Sequence, residues 1–225
     1  EGAGKYAMNP SVCVYIGQAA GYNATTGNYN VAVGGYTAAG QATGSNASNI
    51  VHVGYQAGSY TTGSNNTFVG YYAGRGGQTS APYSSGENNT ALGYNALTAF
   101  TTGYDNTAVG RGAGDSVTTG INNTIIGSRA GETLSATSNC TLIGRAAGLA
   151  INSADAAQTT LVGSSAGQSI TSGQGNTSLG FYSMFTNSTS DHNVAIGHKA
   201  LEDHDVTGTG ANTMVGYEAG KDITT

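Results

Sequence analysis

The sequence has no tryptophan, only two cysteines and two prolines, and charged residues at just 8% of its 225 positions. Each shortage excludes something. Two cysteines cannot found a disulfide framework. Lys and Arg number 7 against 12 for Asp and Glu, a net charge of -5, with no basic run to neutralise phosphates; nucleic acid is not an expected partner. No apolar run approaches the ~20 residues that span a bilayer, and residues 1–10 lack the charged-then-apolar order of a signal peptide. Large aliphatics are scarce as well, so any core is slender relative to the backbone entropy it must offset, and association with further copies is expected on energetic grounds.

Glycine is plentiful, at 37, and it is ordered. A phrase of the form N-T-A-V-G-R-G-A-G, at Asn106–Gly114, recurs along the chain. Its marker glycine falls at Gly17, Gly34, Gly54, Gly70, Gly93, Gly110, Gly127, Gly144, Gly163, Gly180, Gly197 and Gly216, and the commonest step is 17 residues. A short fixed period over the whole length predicts an all-β chain: a parallel β-solenoid, or β-roll, of about twelve 17-residue coils. No composition boundary divides it, so residues 1–225 form one repeat domain. The period breaks off after Lys221-Asp222-Ile223-Thr224-Thr225, which reads as an incomplete C-terminal repeat and a piece of a longer fibre.

Counting from the marker glycine defines columns. One residue before it stand Ile16, Val33, Val53, Val69, Leu92, Val109, Ile126, Ile143, Val162, Leu179, Ile196 and Val215, without a polar exception. Three before it stands Val or Thr throughout. Residues two apart in a strand share a face and β-branched side chains suit strands, so these two columns are expected to look into the coil, with the first as its core. The residue between them should then face outward, toward a neighbouring subunit. Four before the glycine, Asn recurs in eight turns, a corner residue able to stack on its copy one turn away. Three after it comes Ala in ten turns, usually followed by Gly; Leu97, Met184 and Leu201 replace that Gly and read as local apolar plugs. Thr-Thr-Gly closes many units and suggests a second short strand. The longest insertion, Gly76–Gly86 with Pro82, should bulge from the rod. Shorter ones follow Ala39 and Leu149 and lie between His204 and Gly210.

The combination of Asn, a short apolar strand, Gly and a following Ala, seen in Val194-Ala195-Ile196-Gly197 and in Asn89-Thr90-Ala91-Leu92-Gly93-Tyr94-Asn95-Ala96-Leu97, resembles two groups of repeats. One is the head of trimeric autotransporter adhesins; the other is the fibre repeat of phage tail fibres and fibre-like bacterial surface proteins. The resemblance implies a left-handed β-roll assembled as a homotrimeric fibre, located on a virion or an extracellular bacterial surface and engaged in host or surface attachment. The implied partners are the chain itself and a cell-surface glycan or other host receptor. The 17-residue unit is longer than the usual adhesin head repeat, which favours the phage-fibre version.

Chemical candidates are few. Cys13 and Cys140 occupy the Asn column seven turns apart, roughly 34 Å at ~4.8 Å per turn, too far for a bridge. His192, His198 and His204 cluster among acids without a ligand-pair spacing, so no metal is expected. No catalytic constellation can be assembled and no phosphate loop or cofactor motif is present, so the chain is not read as an enzyme. Tyr55, Tyr71, Tyr94, Phe181 and Tyr217 directly follow marker glycines and predict an aromatic ladder, whose alternatives are mutual packing or contact with glycan. Arg111, Arg129 and Arg145 lie near Asp115 and Glu132 and read as surface ion pairs. Two other functions compete with the fibre: a glycan-degrading tailspike, which needs two facing acids, and a monomeric ice-binding solenoid, disfavoured because the adjacent threonines of Thr-Thr point to opposite faces.

Overall fold

The computed structural model describes residues 2–5, 11–24, 26–38, 46–77, 83–203 and 210–223. The insertions after Ala39 and between His204 and Gly210, the tip of the 76–86 bulge, and the last two residues lie outside them. The chain is a parallel β-solenoid. Twelve strands of three residues, from β1 (Val14–Ile16) to β12 (Thr213–Val215), form one sheet in sequence order. Every neighbouring pair is parallel and in the register the marker glycine implies: Val109 pairs with Ile126, and Ile126 with Ile143.

The stack is held from turn to turn. The Gly127 amide donates to the Val109 carbonyl at 2.8 Å, and the Thr107 amide to the Asn123 carbonyl at 2.8 Å. The Thr-Thr-Gly arm makes similar axial bonds, Thr101 N to Thr118 O and Thr118 N to Ser135 O, each 2.8 Å, without forming a second run of strands. Among the described residues it contributes one isolated bridge, Thr61 to Ser84. The expected two-strand unit is thus a one-strand unit with a hydrogen-bonded return arm. Left-handed residues bound the arm at both corners, as at Gly114 and Asn122, and between them the amides and carbonyls still bond along the axis. The insertion after Leu149 forms a 3-10 turn at Ala154–Ala156, capped by the Ser153 hydroxyl.

The faces of the strand are the reverse of the expectation. In the column expected to be the core, Ile16, Val33, Val53, Val69, Leu92, Val109, Ile126, Ile143, Val162, Leu179, Ile196 and Val215 are aligned as required, yet none is buried. Leu92 is 47% and Leu179 48% exposed. The column of Val and Thr beside it is outward too. The residue between them points in: Ala32, His52, Phe68, Ala91, Ala108, Ile125, Leu142, Leu161, Ser178 and Ala195 are completely buried. A coil of 17 residues has room for one inward strand side chain per turn. The other interior columns are the Ala three after the glycine, the residue four after it, and a column seven after it that contains Phe100, Val117, Leu134, Ile151 and Ile170.

Interior volume is shared within each turn. Where the inward strand residue is large, as in His52, Phe68, Ile125, Leu142 and Leu161, the residue six positions later is Gly58, Gly74, Gly131, Gly148 and Gly167. A Cβ on Gly74 would stand 2.4 Å from the Phe68 ring, and one on Gly58 2.2 Å from the His52 ring. In three turns with a small strand residue the later position is large, Ala91 with Leu97, Ser178 with Met184 and Ala195 with Leu201; Ala32 with Ala38 and Ala108 with Gly114 are small at both, and beside Gly114 stand Leu97 and Ile125 from the adjacent turns. Those three plugs are fully buried although each sits at a left-handed φ of 51–52°. Burial of a large apolar side chain is worth ~1.5–3 kcal/mol and so outweighs a left-handed penalty of ~1–2 kcal/mol.

The Asn column forms a buried ladder. The Asn106 carboxamide accepts from the Asn123 amide and side chain at 3.1 and 3.0 Å, while its own nitrogen donates to the Gly120 carbonyl at 2.9 Å. Asn89 repeats these bonds with Asn106 and Gly103, and Asn193 accepts from Asn212 in the same way while its own nitrogen donates to the Ser190 hydroxyl. The left-handed residue of this corner is the one before the ladder asparagine, as at Asn65, Asn88 and Asn122. Both cysteines are free, and Cys140 sits buried in the ladder.

Candidate functional site

With the coil interior filled by small, aliphatic and aromatic side chains and by the asparagine ladder, the candidate site is sought on the surface. The widest regular feature there is the outward face of the twelve-stranded sheet. One of its columns holds Thr67, Thr90, Thr107, Thr124, Thr141, Thr160, Thr177 and Thr213, with Val14, Val31, Val51 and Val194 in the other four turns. The second is the aliphatic column, and neither contains a charge. Corner glycines border the face. At Gly127 the φ is +137° and a Cβ would lie 2.4 Å from the Gly144 carbonyl oxygen, so only glycine lets successive turns close at this edge.

Next to that edge the expected aromatic ladder is present but divided. Tyr55 stacks on Tyr71 at 5.3 Å between centroids and Tyr71 on Tyr94 at 5.5 Å. Phe181 and Tyr217 form a second stack with His198 between them, at 5.4 and 5.3 Å. His198 had been grouped with the other histidines by proximity in sequence; the structure places it in the ladder instead. Arg111, Ser128, Arg145 and Ser164 separate the two stacks. Within each stack the rings turn their faces to one another and leave edges and hydroxyls for solvent, while the end rings Tyr94 and Tyr217 are the most exposed. Tyr72 pushes the Tyr71 phenol up to about 12, chiefly through a side-chain hydrogen bond.

The remaining candidates do not converge. Among the described residues no group of three His, Cys, Asp or Glu side chains could hold a metal ion. His204 lies outside them. Arg129 pairs with Glu132 at 2.7 Å on the surface, whereas no ion pair joins Arg111 or Arg145 to an acid among the described residues. Two acids, Asp155 and Asp191, share the rim of an open polar depression of about 350 Å³ with Ser172, Gln174 and Thr189. Both also hold local backbone or side-chain structure: Asp191 accepts from the Gln174 amide at 2.7 Å and Asp155 from the Ser153 hydroxyl at 3.2 Å. Two buried polar groups stand apart. His52, stacked on Phe68 at 4.8 Å, has no partner for either ring nitrogen, and burial pushes its pKa down to about 3. Burial likewise raises the Cys140 thiol, which suits an inert structural residue.

Searches against family models, curated proteins and solved structures return no match for this chain. Among the described residues no helix is long and apolar enough to cross a membrane. The outward sheet face and its aromatic border are therefore the candidate site. Sequence reasoning missed the face because it assigned these columns to the interior. A signal was available in the glycine that stands six positions after each large middle residue of a strand.

Proposed function

We propose that the chain is a structural segment of a surface fibre, of the phage tail-fibre or bacterial-adhesin kind, that assembles from several copies and serves attachment to a host or surface. The observation that supports this is the unbroken axial sheet: twelve turns in one register, joined by hydrogen bonds on the strand side and on the return arm. Such a ladder extends in one dimension and gives stiffness along the axis without needing a deep core. Its mechanism is mechanical, setting a rigid distance between whatever lies at the two ends. A trimer is the assembly implied by the repeat resemblance. A receptor would be met at ring edges, exposed hydroxyls and the end rings of each stack, since the inner aromatic faces are stacked on one another. Electron microscopy of the purified protein, together with its mass in native buffer, tests the proposal. Straight multi-chain rods are expected; a thin single-chain solenoid would refute it.

A second function has one observation in its favour. The outward Thr column beside an aliphatic column is a flat, regularly spaced array of the type an ice-binding surface requires, and it does not depend on the Thr-Thr pairs. A measurable thermal hysteresis by the monomer would favour ice binding over the fibre.

A further inference from the structure

The apolar exposure of this molecule is concentrated. Of the sixteen large hydrophobic residues that are exposed among the described ones, twelve lie in the two outward strand columns or the aromatic column that borders them. At ~4.8 Å per turn and with two residues per strand, the sheet face alone is a band about 53 Å long and 10–14 Å wide, or roughly 500–750 Å². Eight of its twenty-four positions are threonine, so its aliphatic part is about two thirds of that, comparable to the largest apolar patch of an ordinary monomer at ~300–600 Å², while the whole band approaches the ~800 Å² each partner contributes to a stable interface. A band of this size is large enough to seat a partner.

The surface also constrains what the occupant is. Charge is absent from both strand columns over all twelve turns, so two such faces can meet without burying an unpaired ion. The face is a ridge of branched side chains repeating at the spacing of the turns. A surface with a different period meshes with it at one or two turns and then drifts out of step. A second copy of the same chain has the same period, and copies related by rotation about an axis parallel to the rod stay level turn by turn. The irregular steps between marker glycines leave this spacing intact, because the insertions leave the strand register unbroken.

We infer that the outward face of the sheet is the docking surface for a second copy of this chain, lying parallel and at the same axial level, with the aliphatic column as the central contact. The inference rests on the fibre function proposed above and names the face that assembles it. In this arrangement Leu92, Ile126 and Leu179, which the single chain leaves 47%, 37% and 48% exposed, are covered by their counterparts.

Sedimentation of three proteins tests it: the wild type, Ile126→Glu on the face, and Thr119→Glu at an exposed site on the return arm. Because both positions point outward, far-UV circular dichroism should be unchanged in each. The wild type and Thr119→Glu should be oligomeric, and Ile126→Glu should associate at least about 100-fold more weakly. If Ile126→Glu associates like the wild type, the face is wrong while the fibre function stands; if the wild type is itself a monomer, both fall. Should Ile126→Glu not fold, Ile126→Cys in a Cys13→Ser background supplies the answer. Copper-phenanthroline oxidation should link Ile126→Cys chains into disulfide dimers in the wild-type assembly, and a cysteine that remains a free thiol within an intact oligomer overturns the parallel, level arrangement.

Discussion

The exchange of volume across the coil can be tested by moving it. In the turn holding Ala91 and Leu97 the small residue is on the strand and the large one six positions later; in the turn holding Leu142 and Gly148 the order is reversed, and all four are fully buried. Leu97→Gly deletes a buried isobutyl group, for which Leu-to-Ala losses of ~2–5 kcal/mol are the guide. It also relieves a left-handed residue of ~1–2 kcal/mol, leaving a net destabilisation of about 1–3 kcal/mol. Ala91→Leu forces extra volume against Leu97 and should destabilise by ~1–3 kcal/mol. The double variant recreates the arrangement of Leu142 and Gly148, so it should fall within ~1 kcal/mol of the wild type, a coupling of about 1–6 kcal/mol. Denaturant unfolding followed by circular dichroism at one fixed protein concentration measures all four proteins, the concentration being held because association shifts apparent stability. If the two single effects add to within ~0.5 kcal/mol in the double variant, the positions do not share a space and the packing argument fails.

Three further outcomes follow from the same coordinates. His52→Leu removes two unpartnered buried nitrogens and should stabilise the coil by about 1–3 kcal/mol. Since the folded His52 stays neutral down to about 3 while an unfolded histidine binds its proton near 6.5, the wild type should lose stability as pH falls between those values. His52→Leu should show a flatter profile there, and superimposable pH profiles would contradict the burial. Gly127→Ala places a Cβ against the Gly144 carbonyl at an unfavourable φ and should destabilise by more than ~4 kcal/mol, whereas Gly112→Asn, with nothing within 4 Å of a new Cβ and a φ of +65° that asparagine tolerates, should melt close to the wild type. Asn106→Ala strands the buried Asn123 amide and the Gly120 carbonyl and should lower stability by ~2–5 kcal/mol; Asn106→Thr should recover part of this, because Thr159 already occupies the column and donates to the Gly173 carbonyl. Equal melting temperatures for the Ala and Thr variants would show that the ladder bonds contribute little.

Much of the architecture was legible before any coordinates. Stacking Val109 on Ile126 on Ile143 needs only a constant spacing, and the eight asparagines announce their ladder because a carboxamide both donates and accepts and so can bond to its copy above and below. The separation of Cys13 from Cys140 followed from the same arithmetic. The return arm was harder. Thr-Thr-Gly has strand-like threonines, but the nearby glycines and the left-handed corner residues bend the arm away from strand geometry while its axial bonds survive. The aromatic ladder was visible as a column, yet the place of His198 between Phe181 and Tyr217 and the turning of ring faces toward one another depend on side-chain geometry that spacing does not encode.

Repetition alone determined the period, the register and the single parallel sheet, since identical short units joined in series bury and bond best by lying on one another. It could not determine which side of each strand is inside. Alternation divides a three-residue strand into one side chain against two, and here both sets are largely apolar, so hydrophobicity gives no vote. The closed coil decided the matter: its cross-section admits one strand side chain per turn, adjusted to the residue six positions on. The aliphatic column and the threonine-valine column are turned outward, where they form the uncharged surface that the proposed assembly would cover.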